Sequence, residues 1–295
     1  MATEIKAGGS KRIWLVVVLV AALAAIGSCA VGVNSFFEEE RSPVQRITTL
    51  KTIPPTRLEI SAKTILADPI RGLMKVELEF HPKGDLLESN GHDMARDVHV
   101  ITNSTIAPSE IILKKHHQAH SREITLSLVD GDVALYPIDK YNTSLQLEAF
   151  IERGGDDEVA VPLVVLFSSH NHLLHAEAAL GADSEPHELN VQMKLSRPAA
   201  VLGFAWFMNA IMAMLGICAA LVTYNVAYRG KKLEPNLMVW MSALLFVLPT
   251  IRNSLPGTPP LGSLTDFMVF FWVEAVISIC LLIMVLTWYR RAPDN

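Results

Sequence analysis

Cysteine is scarce. The 295 residues hold three, Cys29, Cys218 and Cys280, all in apolar segments and none between residues 34 and 197. A disulfide framework is thereby excluded for that middle region, which must hold its fold by burial alone. Charge is thin as well, at 19% of residues. No Gly-rich phosphate loop, Gly-x-Ser-x-Gly elbow, His-Glu-x-x-His pair or Cys-x-x-Cys pair is present. Those absences speak against P-loop nucleotide hydrolysis, elbow-type serine hydrolysis, zinc proteolysis and dithiol redox chemistry. Serine, histidine and aspartate occur, but nothing local arranges a nucleophile beside a base. The expectation is a non-enzymatic protein without a cofactor. No internal repeat or low-complexity tract is visible.

What the chain has instead is hydrocarbon. Hydrophobic residues make up 51%, and the mean hydropathy is +0.32. The excess sits at the two ends, in four stretches at residues 13–33, 198–228, 237–251 and 267–289. About 20 apolar residues cross roughly 30 Å of hydrocarbon. The first, second and fourth stretches meet that length. The third is short and reaches it by taking in Pro235 and Asn236 or by letting Arg252 snorkel.

Flanking charge orients the spans. Lys11 and Arg12 precede the first, Arg229, Lys231 and Lys232 lie between the second and third, and Arg290 and Arg291 follow the fourth. With four spans these ends share one side, and the positive-inside rule makes that side cytoplasmic. The expected layout is a cytoplasmic N-terminus at 1–12, a stalk at 34–56 and an extracytoplasmic domain at 57–197. A cytoplasmic loop at 229–236, an outer loop at 252–266 and a cytoplasmic tail at 290–295 complete it. Both termini are then cytoplasmic in a plasma or inner membrane, and the cytoplasmic pieces are too small for an output domain. A second reading of the first span is a lipobox, Ile26-Gly27-Ser28-Cys29, whose cysteine is lipidated after cleavage.

The middle region, 34–197, carries 16 Lys+Arg against 25 Asp+Glu, a net of −9. That balance argues against nucleic acid as a partner. Strand-like runs recur at 57–65, 73–80, 98–106, 123–129, 144–151, 159–167 and 189–195. From Met74 to Phe80, and again from Glu188 to Leu195, apolar and polar residues alternate. Period two with one wet face predicts antiparallel sheet, and about seven short strands predict an all-β sandwich. The fold class expected is therefore mixed: a four-span helical anchor plus an extracytoplasmic β-sandwich. The 34–56 stretch, with Glu38-Glu39-Glu40 and Pro43, Pro54 and Pro55, reads as a stalk rather than a strand.

Two local signatures stand out. One is Tyr136-Pro137-Ile138-Asp139-Lys140-Tyr141. The other runs from Arg252-Asn253 through Pro256-Gly257-Thr258-Pro259-Pro260-Leu261-Gly262 to Asp266 and then Trp272-Val273-Glu274. With the order of spans, they make the chain resemble the domain-of-unknown-function 4436 family of membrane proteins over nearly its whole length. The resemblance implies a multi-span anchor with a β-rich outer domain and implies no activity.

The first signature reads physically as a tight turn, a candidate membrane-proximal turn built on Tyr136, Pro137, Asp139 and Tyr141. Proline fixes φ, Asp139 can accept from a backbone N–H two residues on, and the tyrosines brace the turn with their rings. Alternatively, the turn is the foot of the domain, docking on the outer loop. In the second signature, Arg252, Asp266 and Glu274 form a candidate polar cluster at the intramembrane and outer-loop level. Glu274 lies about seven residues into a span, so it must be neutral, paired or lining a polar cavity, and Arg252 is the expected partner. An interhelical brace and a proton or cation relay are both open.

Ten histidines lie between His81 and His187, densest at His116-His117-Gln118-Ala119-His120 and at His170-Asn171-His172-Leu173-Leu174-His175. They read as solvated loop histidines, and no metal site is expected. Asp156-Asp157-Glu158 reads as an acidic turn. The sequons Asn103-Ser104-Thr105 and Asn142-Thr143-Ser144 matter only in a secretory host. The functional expectation is an accessory or scaffolding subunit of a cell-envelope complex, whose partners are the membrane and other membrane-protein subunits. The alternatives are a transport component using Arg252, Asp266 and Glu274, or a ligand- or metal-binding sensor.

Overall fold

The structure is a computed structural model that describes residue 27 and residues 44–106, 109–152 and 158–291. The first apolar stretch apart from Gly27, the lipobox cysteine, most of the expected stalk and Asp156-Asp157 lie outside the described residues. The chain divides into two units: a β-rich unit at 41–198 and a helical unit that contains residues 199–291.

Among the described residues the β-rich unit has eleven strands: β1 (Gln45–Ile47), β2 (Arg57–Asp68), β3 (Leu73–Lys83), β4 (Val98–Thr102), β5 (Glu110–Leu113), β6 (Arg122–Ser127), β7 (Lys140–Glu152), β8 (Glu158–Ala160), β9 (Leu163–Ser169), β10 (His175–Leu180) and β11 (Glu188–Ser196). They form two sheets, ordered β1-β9-β2-β3-β6 and β10-β11-β7-β4-β5, with β8 paired to β7. The alternation seen in the sequence is what buries each inner face. Met74, Val76, Leu78 and Phe80 of β3 point inward, as do Leu189, Val191, Met193 and Leu195 of β11. Both sets belong to one continuous core with Leu58 and Ile60 of β2 and Leu145 and Leu147 of β7. Truncating a fully buried leucine such as Leu78 or Leu147 to alanine costs about 2–5 kcal/mol, through lost transfer energy and the cavity left behind.

Two sequence expectations change here. Strand β2 runs parallel to β9, Leu58 opposite Leu163 and Thr64 opposite Ser169, so the first sheet is mixed rather than antiparallel. Leu163-Val164-Val165 is buried at every position, the continuous apolar run that parallel strands carry. The expected stalk also contributes a strand: Gln45–Ile47 adds antiparallel to the open edge of β9. Backbone pairing at that edge outweighs the prolines nearby.

The helical unit contains α1 (Ala199–Ala227), α2 (Pro235–Asn253) and α3 (Phe271–Arg291), the last entered through a π-helical turn at Asp266–Phe270. All three helices are long and apolar enough to cross a membrane. Helix α2 gains its length by starting at Pro235 and Asn236, where proline at the first helical position leaves no lost hydrogen bond. Buried positions on α1 fall at Val201, Ala205, Asn209, Met212, Gly216, Ala219, Thr223 and Val226. On α3 they are Val273, Ile277, Cys280 and Met284. Steps of three and four residues mark a helix seam of coiled-coil type. Across it, a Cβ added at Gly216 would lie 3.0 Å from Val273 Cγ1, so a small residue is needed there. Large apolar side chains face away from the seam, among them Phe246, Trp272 and Ile217.

Candidate functional site

Among the described residues, each unit carries one buried ionic node, and each node is built around an aspartate that the sequence singles out. In the β-rich unit the node is Asp139. The chain leaves β6, turns at Val133–Leu135, where Asp132 accepts from the Ala134 N–H at 2.8 Å, and passes through a cis Tyr136–Pro137 peptide. The Ile138 N–H donates to the Leu135 carbonyl at 3.0 Å and closes the turn. Asp139 then points inward. It does not bond to a backbone N–H two residues on, as expected. It accepts instead from the Tyr141 hydroxyl at 2.8 Å, because the side chain two residues on comes round to the same inner side of β7.

The dominant partner is a residue the sequence reading passes over. Arg197 Nε donates to Asp139 Oδ1 at 3.0 Å, and Arg197 Nη2 donates to Oδ2 at 2.9 Å, a bidentate pair with both side chains buried. The guanidinium also lies over the Tyr136 ring, 4.8 Å from its centroid. Arg197 follows the last residue of β11, and Ser196 pairs with Lys140, so the register places Arg197 beside the turn. One signal could have found it: a lone arginine directly before Pro198 and a long uncharged helix has few ways to be satisfied other than an acid nearby. Burial, reinforced by the bond to Asp139, pushes the Tyr141 phenol above its ordinary range. Gly131 belongs to the same node. A Cβ there would fall 1.9 Å from Tyr141 Cδ1, so only glycine lets the tyrosine ring pack against that backbone.

In the helical unit the node is Arg252 with Asp266. Arg252 Nε donates to Asp266 Oδ1 at 2.8 Å, and Arg252 Nη2 donates to Oδ2 at 2.7 Å and to the Pro260 carbonyl at 2.7 Å. Asp266 Oδ2 further accepts from the backbone N–H groups of Gly262 at 2.8 Å and Ser263 at 3.2 Å. Gly262 has φ +90°, a conformation that a side chain disfavours, and this is how its N–H reaches the carboxylate. The proline-rich loop is thus cinched by a bidentate ion pair whose side chains are 4% and 0% exposed.

Glu274 is not part of that node, contrary to the expected pairing with Arg252. Asp266 sits at the loop end of its helix, level with Arg252, whereas Glu274 lies eight residues on, roughly 12 Å along the axis at 1.5 Å per residue. The nearer carboxylate takes the guanidinium. Glu274 Oε2 is buried and has no hydrogen-bond partner among the described residues, and Asn209 Oδ1 on α1 is in the same position.

The histidines do not converge. Among the described residues, no group of three or more His, Cys, Asp or Glu is placed to hold a metal ion. His116, His117, His120 and His170 are exposed. His99 is buried on β4 instead, stacked on Phe150, with Nδ1 2.6 Å from Glu110. The Asn103 amide is also occupied: it donates to the Ser144 carbonyl at 2.8 Å and accepts from the Gln146 N–H at 3.0 Å.

No curated protein matches the chain. Residues 197–291, which hold the three helices, match a family model described as Domain of unknown function (DUF8686). Residues 48–195, half of the chain and most of the β-rich unit, match the model described as Domain of unknown function (DUF4436), and the protein belongs to that family.

Proposed function

We propose that the protein is a four-span membrane protein that holds a β-sandwich outside the cytoplasm as a non-enzymatic accessory or scaffolding subunit of a cell-envelope complex. One observation carries the reading. Of the charged side chains that the sequence offers as chemistry, Asp139, Arg252 and Asp266 are consumed in two closed internal locks, Asp139–Arg197 and Arg252–Asp266, and Glu274 stands outside them. Asp139–Arg197 joins the start of β7 to the end of β11, 58 residues apart, Arg252–Asp266 closes the 14-residue step between α2 and the turn that follows it, and neither leaves an ionised group aimed at a substrate. Buried pairs of this kind fix geometry more than they add stability.

Several features support the membrane part. In the helical unit, Arg229, Lys231, Lys232, Arg290 and Arg291 are exposed, whereas Arg252 at the opposite end of α2 is buried on an aspartate. Cations without an acidic partner among the described residues at one end and a neutralised one at the other fit an inward-facing 229–236 loop. With the uncharged 13–33 stretch as the first span, residues 44–197 then lie outside. Two sheets sharing one core fit a sandwich.

Gentle extraction from native membranes, followed by mass spectrometry of the intact assembly, tests the role. A stoichiometric companion subunit is expected; a homogeneous species holding this chain alone refutes the accessory reading. A second reading, a transport component, is favoured by the partnerless Glu274 Oε2 in an apolar helix. If it holds, Glu274→Gln abolishes function while leaving assembly intact. Unchanged function in that variant sinks it.

A further inference from the structure

Strand polarity shows that the β-rich unit receives and releases the chain at the same end. Asp68 at the end of β2 pairs with Leu73 at the start of β3, and Leu73 pairs with Ser127 at the end of β6. Thr64 pairs with Ser169 at the end of β9, and Gln45 at the start of β1 pairs with Phe167. In the other sheet, Ser196 at the end of β11 pairs with both His175 and Lys140, the starts of β10 and β7. Several contacts tie the sheets together there, two of them close to the chain's entry and exit. Thr143 Oγ1 donates to the Ser127 carbonyl at 2.8 Å, and the Ala178 N–H donates to Gln45 Oε1 at 3.2 Å. Residue 44, Arg197 and the loops at 69–72, 128–139 and 170–174 therefore gather at one end.

That end is greasy. Ile65 and Leu66 flank the bulge in β2, Ile70 tips the β2–β3 hairpin, and Val129, Leu135 and Ile138 line the loop into β7; all six are exposed, Ile70 at 59% and Ile138 at 54%. The hairpin and the loop adjoin, since the Leu128 N–H donates to the Gly72 carbonyl at 2.8 Å. The opposite end, around residues 84–93, presents Asp85, Ser89 and Asn90. Nothing in the β-rich core requires six exposed aliphatic side chains on one rim, and with the exposed Arg71, Asp130, Asp132 and Lys140 among them the rim is amphipathic, as a surface at a membrane interface is.

We propose that this rim is a lipid-binding surface whose aliphatic loops sit in the interfacial layer of the outer leaflet. The proposal rests on the membrane reading above. The occupant is a bilayer because of what the chain does on leaving the rim. Helix α1 begins two residues after Arg197, and the 13–33 stretch ends eleven residues before Val44. Eleven residues span at most about 36–40 Å fully extended, so hydrocarbon-seeking chain is tethered to the rim on both sides. The one buried arginine at the rim is neutralised by Asp139, while the exposed Arg71 and Lys140 can stay at the headgroup level. Shallow aliphatic burial of this type is how interfacial segments bind without spanning.

The test uses the full chain in phosphatidylcholine vesicles, with Cys29, Cys218 and Cys280 replaced by serine. Single spin labels are placed through Ile70→Cys, Ile138→Cys, Ser89→Cys and Phe246→Cys. Collision with oxygen is compared with collision with a water-soluble nickel chelate. Labels at 70 and 138 are expected to show an oxygen-to-nickel ratio several-fold above that at 89, approaching that at 246. Labels at 70 and 138 that match 89, while 246 stays oxygen-rich, overturn the proposal alone. Poor collision with both reagents at 70 and 138 means protein covers the rim, which also overturns it. A water-like ratio at 246 refutes the membrane reading itself.

Discussion

Removing one partner of the Asp139–Arg197 lock should be far more damaging than removing both. In Asp139→Ala the guanidinium stays in a site where its side chain is 4% exposed, with only the Tyr136 ring for compensation. Breaking a buried pair in this way costs about 3–5 kcal/mol, because an uncompensated charge remains. For a unit of this size, 41–198, each kcal/mol moves the midpoint by about 2–4 °C, so the single variant should melt about 6–20 °C lower. The double variant Asp139→Leu/Arg197→Met keeps the volume and removes both charges, and it should recover most of that loss. The assay is thermal unfolding of the full chain in detergent, followed by the far-ultraviolet β-sheet signal. Two results refute the reasoning: a single variant within 2 °C of the parent, or a double variant as unstable as the two singles summed.

Tyr141 supplies a pH test. Its folded-state phenol titrates above the unfolded value, so the stability it gives is fully present below about pH 10 and is lost as pH rises through the folded pKa. Between pH 10 and 11.5 the parent should therefore lose more stability than Tyr141→Phe, while below pH 9 the gap between them stays constant; parallel curves throughout contradict this. Gly131→Ala should cost at least about 1–3 kcal/mol by overpacking, because the new methyl meets the Tyr141 ring at 1.9 Å; urea midpoints measure it. Gly262→Ala has open space for its methyl but must hold φ +90°, a strain of about 1–3 kcal/mol, and should lower the melting temperature of the helical unit in detergent.

The sequence announces strongly periodic elements and hides weakly patterned ones. Met74 to Phe80 and Leu189 to Leu195 alternate cleanly because each has one wet face, and both are strands as expected. Strand β10, His175-Ala176-Glu177-Ala178-Ala179-Leu180, escapes notice because alanine and glutamate favour helices; pairing with β11 overrides that preference. Strand β1 is three residues long, and its reason for existing, the free edge of β9, lies over a hundred residues away. The sites follow the same rule. Asp139, Arg252 and Asp266 are legible as polar residues in unusual company. Their partners are less so, since Arg197 stands 58 residues from Asp139 and only strand register brings it near. Glu274 is found by its isolation, and the same isolation misleads the pairing, because a competing acid fourteen residues from Arg252 is already in reach.

Termini that meet at one rim make the β-rich unit a cassette. A short linker could replace 45–196, or an unrelated domain with adjoining ends could take its place, without changing the separation of the flanking segments. The unit should equally tolerate new ends opened at the far loops around Ser89, with the old ones joined. Two distinct family models divide this chain at residues 195 and 197, in the same short step where β11 gives way to α1. The β-rich unit and the helices are separable parts in that sense.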